Sequence, residues 1–311
     1  MRVLIVGCGY AGLPLGAELV RLGHEVFGLR RSSAAENDLK AAGIEPLIAD
    51  ITRPEELARL PAPFDWVVNC VSSAHGGVEE YRQVYLQGTW NLIEWLSPAL
   101  ADASARQGLK KFVYTSSTGV YGQTDGALVK ETSATEPAAK TAKVLVQAEK
   151  VLLDAFQQKA FPAVILRVAG IYGPDRGHWL KLYLKNEAKI DGKGERVLNM
   201  IHRDDVVGVI IAALKNGRAG EIYNAVDDEP VKQLNFFEWF ADTLVKSLPP
   251  HAPEDLNEAG KRGATSKRIS NRKLKMELGY RFIYPNFRKG YTAELQRLDR
   301  TGQLNIGLEG R

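Results

Sequence analysis

The stretch Met1-Arg2-Val3-Leu4-Ile5-Val6-Gly7-Cys8-Gly9-Tyr10-Ala11-Gly12-Leu13-Pro14-Leu15-Gly16 decides how the rest of the chain is read. Val3 to Val6 is a short aliphatic run, the pattern of a buried strand. It breaks at Gly7-Cys8-Gly9-Tyr10-Ala11-Gly12, a G-x-G-x-x-G turn, and a helix-forming segment follows to about Leu22. Each glycine has a separate task in a dinucleotide site. Gly7 permits the tight turn off the strand, Gly9 leaves room for a pyrophosphate against the backbone, and Gly12 lets the helix lie close on the sheet. The helix N-terminus offers free N–H groups and partial positive charge to phosphates. Pro14 falls in the first turn, where its missing N–H costs little.

Around that stretch, composition sets limits. No apolar segment of membrane-spanning length occurs in the 311 residues, so no membrane partner is expected. Arg2 before an apolar run resembles an export signal, but glycines interrupt the run too early, and a cytoplasmic protein is expected. Cys8 and Cys70 both fall at strand ends, which fits reduced thiols better than a structural disulfide. Net charge is only +4, yet residues 260–311 hold thirteen Lys/Arg against four Asp/Glu. Such an excess suits an anionic substrate or a nucleic acid. Without an aromatic-interleaved motif, a solvated basic face is the better reading, and no nucleic-acid partner is expected.

Outward from the glycine turn, strands and helices alternate. His24–Leu29, Pro46–Ala49, Phe64–Val71, Lys110–Thr115 and Ala163–Val168 read as strands. Helices are expected from about Arg53, from Glu79 to Leu100 and from Lys140 to Gln158, with a further strand at Glu221–Ala225. This alternation predicts an α/β doubly wound parallel sheet, a Rossmann arrangement, with ligands at the C-terminal strand ends. Residues 1–169 would form the nucleotide-binding domain. Residues 170–311 would form a smaller C-terminal substrate lobe, partly interwoven with it. The second strand ends in Arg30-Arg31, with no Asp or Glu to accept the ribose hydroxyls. Guanidinium forks suit a 2′-phosphate, so NADP(H) is expected in preference to NAD(H).

The motifs VVNCVSSAH, VYTSSTGVYG, ILRVAGIYGP, IHRDDVVGVIIAAL and EIYNAVDDEPV follow the glycine turn in order. Together they resemble the extended short-chain dehydrogenase/reductases, the NAD-dependent epimerase/dehydratase superfamily. The basic C-terminal segment SKRISNRKLKMELGYRFIYPNFRKG resembles its atypical bacterial members. The resemblance implies that Gly7, Gly9, Tyr10, Gly12 and Leu13 cradle the pyrophosphate and Arg30 and Arg31 the adenosine phosphate. It implies Asp50 and Ile51 beside the adenine, and Cys70, Val71 and Ser72 beside the ribose and nicotinamide. Ser117, four residues before Tyr121, would hold the substrate oxygen that changes oxidation state. His75, Ile171 and Tyr172 would line the substrate pocket. Relatives dimerise through the helix corresponding to Glu79–Leu100, so a homodimer or burial within the monomer would explain its apolar face.

The sequence departs from the family at its central pair, Tyr-x-x-x-Lys. Aligning Ala148-Glu149 puts Thr141 at the Tyr position and Leu145 at the Lys position, and no Tyr occurs between Tyr121 and Tyr172. Substitute acid–base candidates are Tyr121, Lys140, Lys143 and His75, with His178 and His202 weaker. Asp204 or Asp205 is expected to cap the helix after His202. Three readings remain open. A substitute acid–base serves an oxidoreductase or epimerase; or the small-molecule substrate needs little proton management; or the chain is a non-catalytic NADP(H)-binding redox sensor or scaffold. No metal site is expected, because two cysteines and five scattered histidines supply no ligand spacing.

Overall fold

Seven aliphatic and β-branched runs line up as one parallel sheet in the computed structural model, which describes residues 1–74, 76–98, 108–253 and 265–304. The strands are β1 (Arg2–Val6), β2 (Glu25–Arg30), β3 (Glu45–Ile48), β4 (Trp66–Asn69), β5 (Lys111–Ser117), β6 (Ala163–Val168) and β7 (Ile222–Ala225). Their order across the sheet is β7-β6-β5-β4-β1-β2-β3, so the chain reverses direction of travel between β1 and β4. That reversal is the crevice where open α/β sheets bind ligands.

The period of two along each strand builds two cores from one sheet. Val3 and Ile5 of β1 enter one apolar cluster with Leu15 and Leu19 of the helix Gly12–Arg21 and with Val209 and Ile210 of the helix Arg203–Asn216. Leu4 and Val6 enter the other, with Leu92 and Leu96 of Gly88–Leu96 and Ala148 and Leu152 of Lys140–Lys159. All four β1 residues are fully buried. At about 25 cal/mol per Å² of apolar surface, each such side chain contributes roughly 1.5–3 kcal/mol.

One feature differs from the sequence expectation. The expected helix from Glu79 to Leu100 is divided: Val78–Tyr81 is α-helical, Arg82–Gln87 has π-type turns, and Gly88–Leu96 is α-helical again. Its last two positions, 99 and 100, lie outside the described residues. Beyond β6 the chain forms a third, aromatic core in which Tyr172, Tyr183, Phe236, Phe237, Phe240, Phe287 and Tyr291 pack together. Between visits to that core it returns to the main sheet as Arg203–Asn216 and β7, so residues after 170 serve both bodies.

Candidate functional site

At the β1/β4 crevice lies a cavity of about 290 Å³, lined among others by Gly7, Gly9, Arg30, Arg31, Asp50, Ile51, Val71 and Ser72. Gly7 has φ +82°, and a Cβ there would stand 2.7 Å from the backbone of Val71. A Cβ at Gly12 would stand 2.9 Å from the Gly7 carbonyl and 3.1 Å from Ile5, so this glycine sets how closely helix and sheet approach. Gly9 is different: its Cβ would meet only the tip of Arg30, at 3.1 Å, and the Gly7 carbonyl at 3.8 Å. The backbone therefore stands bare on the cavity side, above the helix N-terminus. That is a cradle a dinucleotide pyrophosphate fits.

Arg30, the last residue of β2, donates from Nη1 to the Cys8 carbonyl at 2.9 Å and so braces the turn. Arg31 is exposed and forms no ion pair among the described residues. Asp50 accepts both the backbone N–H and the hydroxyl of Thr52, and the Ile51 carbonyl accepts the Asn91 amide at 2.8 Å. These bonds fix the cavity's far wall. Cys70 packs behind the turn, its thiol donating to the Gly7 carbonyl at 3.4 Å. Burial pushes the Cys8 thiol up to about 12 and raises Cys70 as well, so both stay protonated and unreactive near neutrality.

Tyr10 and Leu13 do not line the cavity. Leu13 packs on the core, and Tyr10 turns toward the second lobe, donating to the Pro174 carbonyl at 2.9 Å beneath the guanidinium groups of Arg176 and Arg203.

Ser117 ends β5. Its Oγ accepts the Gly119 N–H at 3.0 Å, which closes the turn Thr118–Val120. A hydroxyl that accepts there still has its own hydrogen to donate. One strand position earlier, Ser116 donates to Glu149 at 2.5 Å, and Glu149 is gripped by Arg167. This buried group fixes the rotation of the helix Lys140–Lys159. Counting back in steps of four places Leu145 and Thr141 on the Glu149 face. Thr141 is half-buried and Leu145 is in the core, while Lys140 and Lys143 are exposed.

Several expected site residues stand elsewhere. Tyr121 is fully buried, donating to Asn224 at 2.8 Å and accepting from Arg167 at 2.8 Å. Burial raises its phenol pKa, although Arg167 opposes the shift, so it is no base at neutral pH. Tyr172 is likewise core, stacked on Tyr291 at 4.4 Å, and only half-buried Ile171 keeps partial exposure there. His178 is exposed beside Trp179. His75 lies outside the described residues.

The expected aspartate cap is replaced by His202, whose Nδ1 accepts the Asp204 N–H at 3.2 Å. Asp205 is instead fully buried and accepts from the Tyr280 hydroxyl and from the Ile283 and Tyr284 N–H groups.

One residue was missed by the sequence reading. Lys267 falls in the basic stretch 260–311 read as a solvated face, yet it is only 4% exposed. Its signal was the alternation Lys267, Arg268, Ile269, which puts Lys267 on the inward face with Ile269. Among the described residues no group of three or more His, Cys, Asp or Glu could hold a metal, and no helix is long and apolar enough to cross a membrane.

The profile of the NAD dependent epimerase/dehydratase family matches residues 3–225. The chain is 27% identical to Protein YeeZ of Escherichia coli (strain K12) over 290 residues, which cover 92% of this chain and 97% of that one. It is similar to the solved structure of a functionally unknown conserved protein from Silicibacter pomeroyi DSS. That match has 28% identity and a TM-score of 0.76, covering 94% and 97% of the two chains. It shares its fold with DesIV, a dTDP-glucose 4,6-dehydratase from Streptomyces venezuelae solved with NAD and TYD bound. There the identity is 22%, the TM-score 0.79 and the coverage 97% and 98%.

Proposed function

Because the chain belongs to the NAD-dependent epimerase/dehydratase family, we propose that it is a nicotinamide-dependent oxidoreductase or epimerase-like enzyme of the atypical kind, acting on a small molecule. The cofactor we assign is NADP(H) in preference to NAD(H). The observation that carries the reading is the cavity that joins bare Gly9 to Arg30 and Arg31, with no acidic residue ending β2.

When bound, the cofactor supplies hydride chemistry. Everything else falls to the chain. The turn at Gly7, Gly9 and Gly12 brings backbone N–H groups to the pyrophosphate, and the exposed Arg31 fork meets the 2′-phosphate while Arg30 holds the turn in shape. Ser117 donates its free O–H to the substrate oxygen and polarises it. Thr141 stands where the family's tyrosine would. Its hydroxyl donates and accepts hydrogen bonds but does not ionise near neutrality. Buried Tyr121 takes no part. This suits an activated substrate whose proton comes from water. The same absence of a phenol–lysine pair favours, as the second reading, a non-catalytic NADP(H)-binding sensor or scaffold.

Two further assignments complete the proposal. A homodimer through residues 78–96 is supported by Trp90, half exposed on Gly88–Leu96. A cytoplasmic setting is in keeping with two free cysteines.

The test is titration with NADPH and with NADH, followed by energy transfer from protein to nicotinamide. NADPH should bind the more tightly, and Arg31→Ala should weaken NADPH by about tenfold or more while leaving NADH nearly unchanged, the loss of a charge-assisted bond. Equal binding of both, or of neither, overturns the cofactor assignment. Turnover of a screened substrate that collapses in Ser117→Ala separates the enzyme from the binder.

A further inference from the structure

We infer that Arg196 and Lys267 form an anion subsite beside Ser117, which takes a carboxylate or phosphate group of the substrate. The inference deepens the enzyme reading above and rests on it.

Three chain segments meet at the C-terminal ends of β5 and β6. Ser117 pairs in register with Val168, the last residue of β6. Two residues on, the exposed Gly170 donates its N–H to the Asn199 carbonyl at 3.2 Å. The Asn199 side chain then holds the third segment, donating to the Lys267 carbonyl at 2.8 Å and accepting from Ile269 N–H at 3.0 Å. From there the Lys267 ammonium reaches back to the Ser117 turn and donates to the Tyr121 carbonyl at 2.9 Å. Its second bond goes to the Thr265 hydroxyl at 2.8 Å.

Both acceptors are neutral, and among the described residues no carboxylate lies within ion-pair range of Lys267. An ammonium has three donors, so one stays unused. Arg196 is incompletely satisfied too. Asp191 takes its Nη1 at 2.9 Å and the guanidinium lies 5.6 Å from the Trp179 ring centre, but its buried Nε has no acceptor. Burying the Lys267 ammonium without countercharge is costly, and an apolar side chain of similar volume would fill the space more cheaply. An arriving anion removes that cost, which is the reason to retain Lys267 in such a place, and the unpartnered Nε of Arg196 offers it a second donor.

The titration of Lys267 agrees. Burial, with repulsion from Arg196 next, brings its ammonium down to about 8. Among the described residues Arg196 is the charge that acts on it; Tyr121 and Thr265 contribute only neutral oxygens. A bound anion offsets both causes through its opposite charge and favours the charged form.

The experiment is calorimetric titration of the full chain with malonate and, separately, with inorganic phosphate, in the presence of saturating NADPH so that the pyrophosphate cradle is filled. Saturable binding should weaken by about tenfold or more in Lys267→Met and in Arg196→Met, and recover in Lys267→Arg. It should also fade as pH rises through about 8 in the wild type but not in Lys267→Arg. The preferred anion distinguishes a carboxylate substrate from a phosphorylated one. Binding that ignores both methionine substitutions, or no saturable binding of either anion, overturns the subsite. NADPH affinity is measured on the same samples. If NADPH does not bind while anion binding still depends on Lys267 and Arg196, the cofactor reading fails and the subsite stands. If NADPH binds and the anions ignore the substitutions, the reverse holds.

Discussion

Arg167 holds Glu149 through two nitrogens, Nε at 3.1 Å and Nη2 at 2.7 Å, with both side chains about 95% buried. The pair joins β6 to the helix Lys140–Lys159 and thereby sets which helix face looks toward Ser117. Removing one partner strands the other charge in the core. Glu149→Gln and Arg167→Met should each cost roughly 3–5 kcal/mol in denaturant unfolding. The double variant Glu149→Gln/Arg167→Met should recover part of that loss. Single variants within about 1 kcal/mol of the wild type would show that the pair does not hold the helix.

The two glycines of the turn should fail in different ways. Gly7→Ala forces a side chain into a left-handed backbone and against Val71, so it should cost about 1–3 kcal/mol of stability. Gly9→Ala meets only the tip of Arg30, whose Nη1 holds the Cys8 carbonyl, and should cost less stability than Gly7→Ala. It should nonetheless weaken NADPH binding by about tenfold or more, because its methyl group stands where the pyrophosphate approaches. Thermal melts and cofactor titration on the same two proteins separate these outcomes.

Asp205 fastens the segment 280–284 to the start of the helix Arg203–Asn216 through three hydrogen bonds to one carboxylate. Bonds to a charged group contribute about 1.5–3 kcal/mol each before coupling is considered. Asp205→Ala should therefore speed amide exchange at Ile283 and Tyr284 far more than in β1. Uniform acceleration across the protein would instead mean a global loss of stability.

Asp227 makes stability depend on pH. It is 1% exposed, one carboxylate oxygen has no partner among the described residues, and burial pushes the carboxyl up to about 8 from 3.8. Between those values the folded protein keeps a proton that the unfolded chain releases. The group's contribution is thus fully present below about 3.8 and is lost as pH rises through about 8. Asp227→Asn cannot ionise. Relative to that variant, the wild type should lose stability, on the order of a few kcal/mol, as pH is raised from about 4 to about 8. A difference that stays flat across the range would refute the assignment.

Strand positions were legible because their cause is local. Val3–Val6 and Ala163–Val168 are aliphatic and bounded by glycine or polar turns, and both are strands in the structure. The glycine turn was legible for the same reason: a positive φ at Gly7 and close approach at Gly12 are demands that only glycine meets. The division of the helix 78–96 was not legible, since nothing in Arg82–Gln87 breaks the apolar period. Aspartate is a good cap in general, but here the buried carboxylate of Asp205 is drawn to the distant 280–284 segment and His202 takes the cap.

Sequence alone settled the strands, their alternation with helices and the crevice at the strands' C-terminal ends, because those follow from periodicity and turn chemistry within a few residues. It also determined that Tyr-x-x-x-Lys is missing, which is a matter of composition between Tyr121 and Tyr172. Which polar side chains enter the core was left to the tertiary fold. Tyr121 is drawn inward by Asn224, 103 residues away, and Lys267 is held at the Ser117 turn by a carbonyl 146 residues away. The free energy of a polar group depends on the solvent it loses and the partners it gains, and at those separations the fold alone sets both.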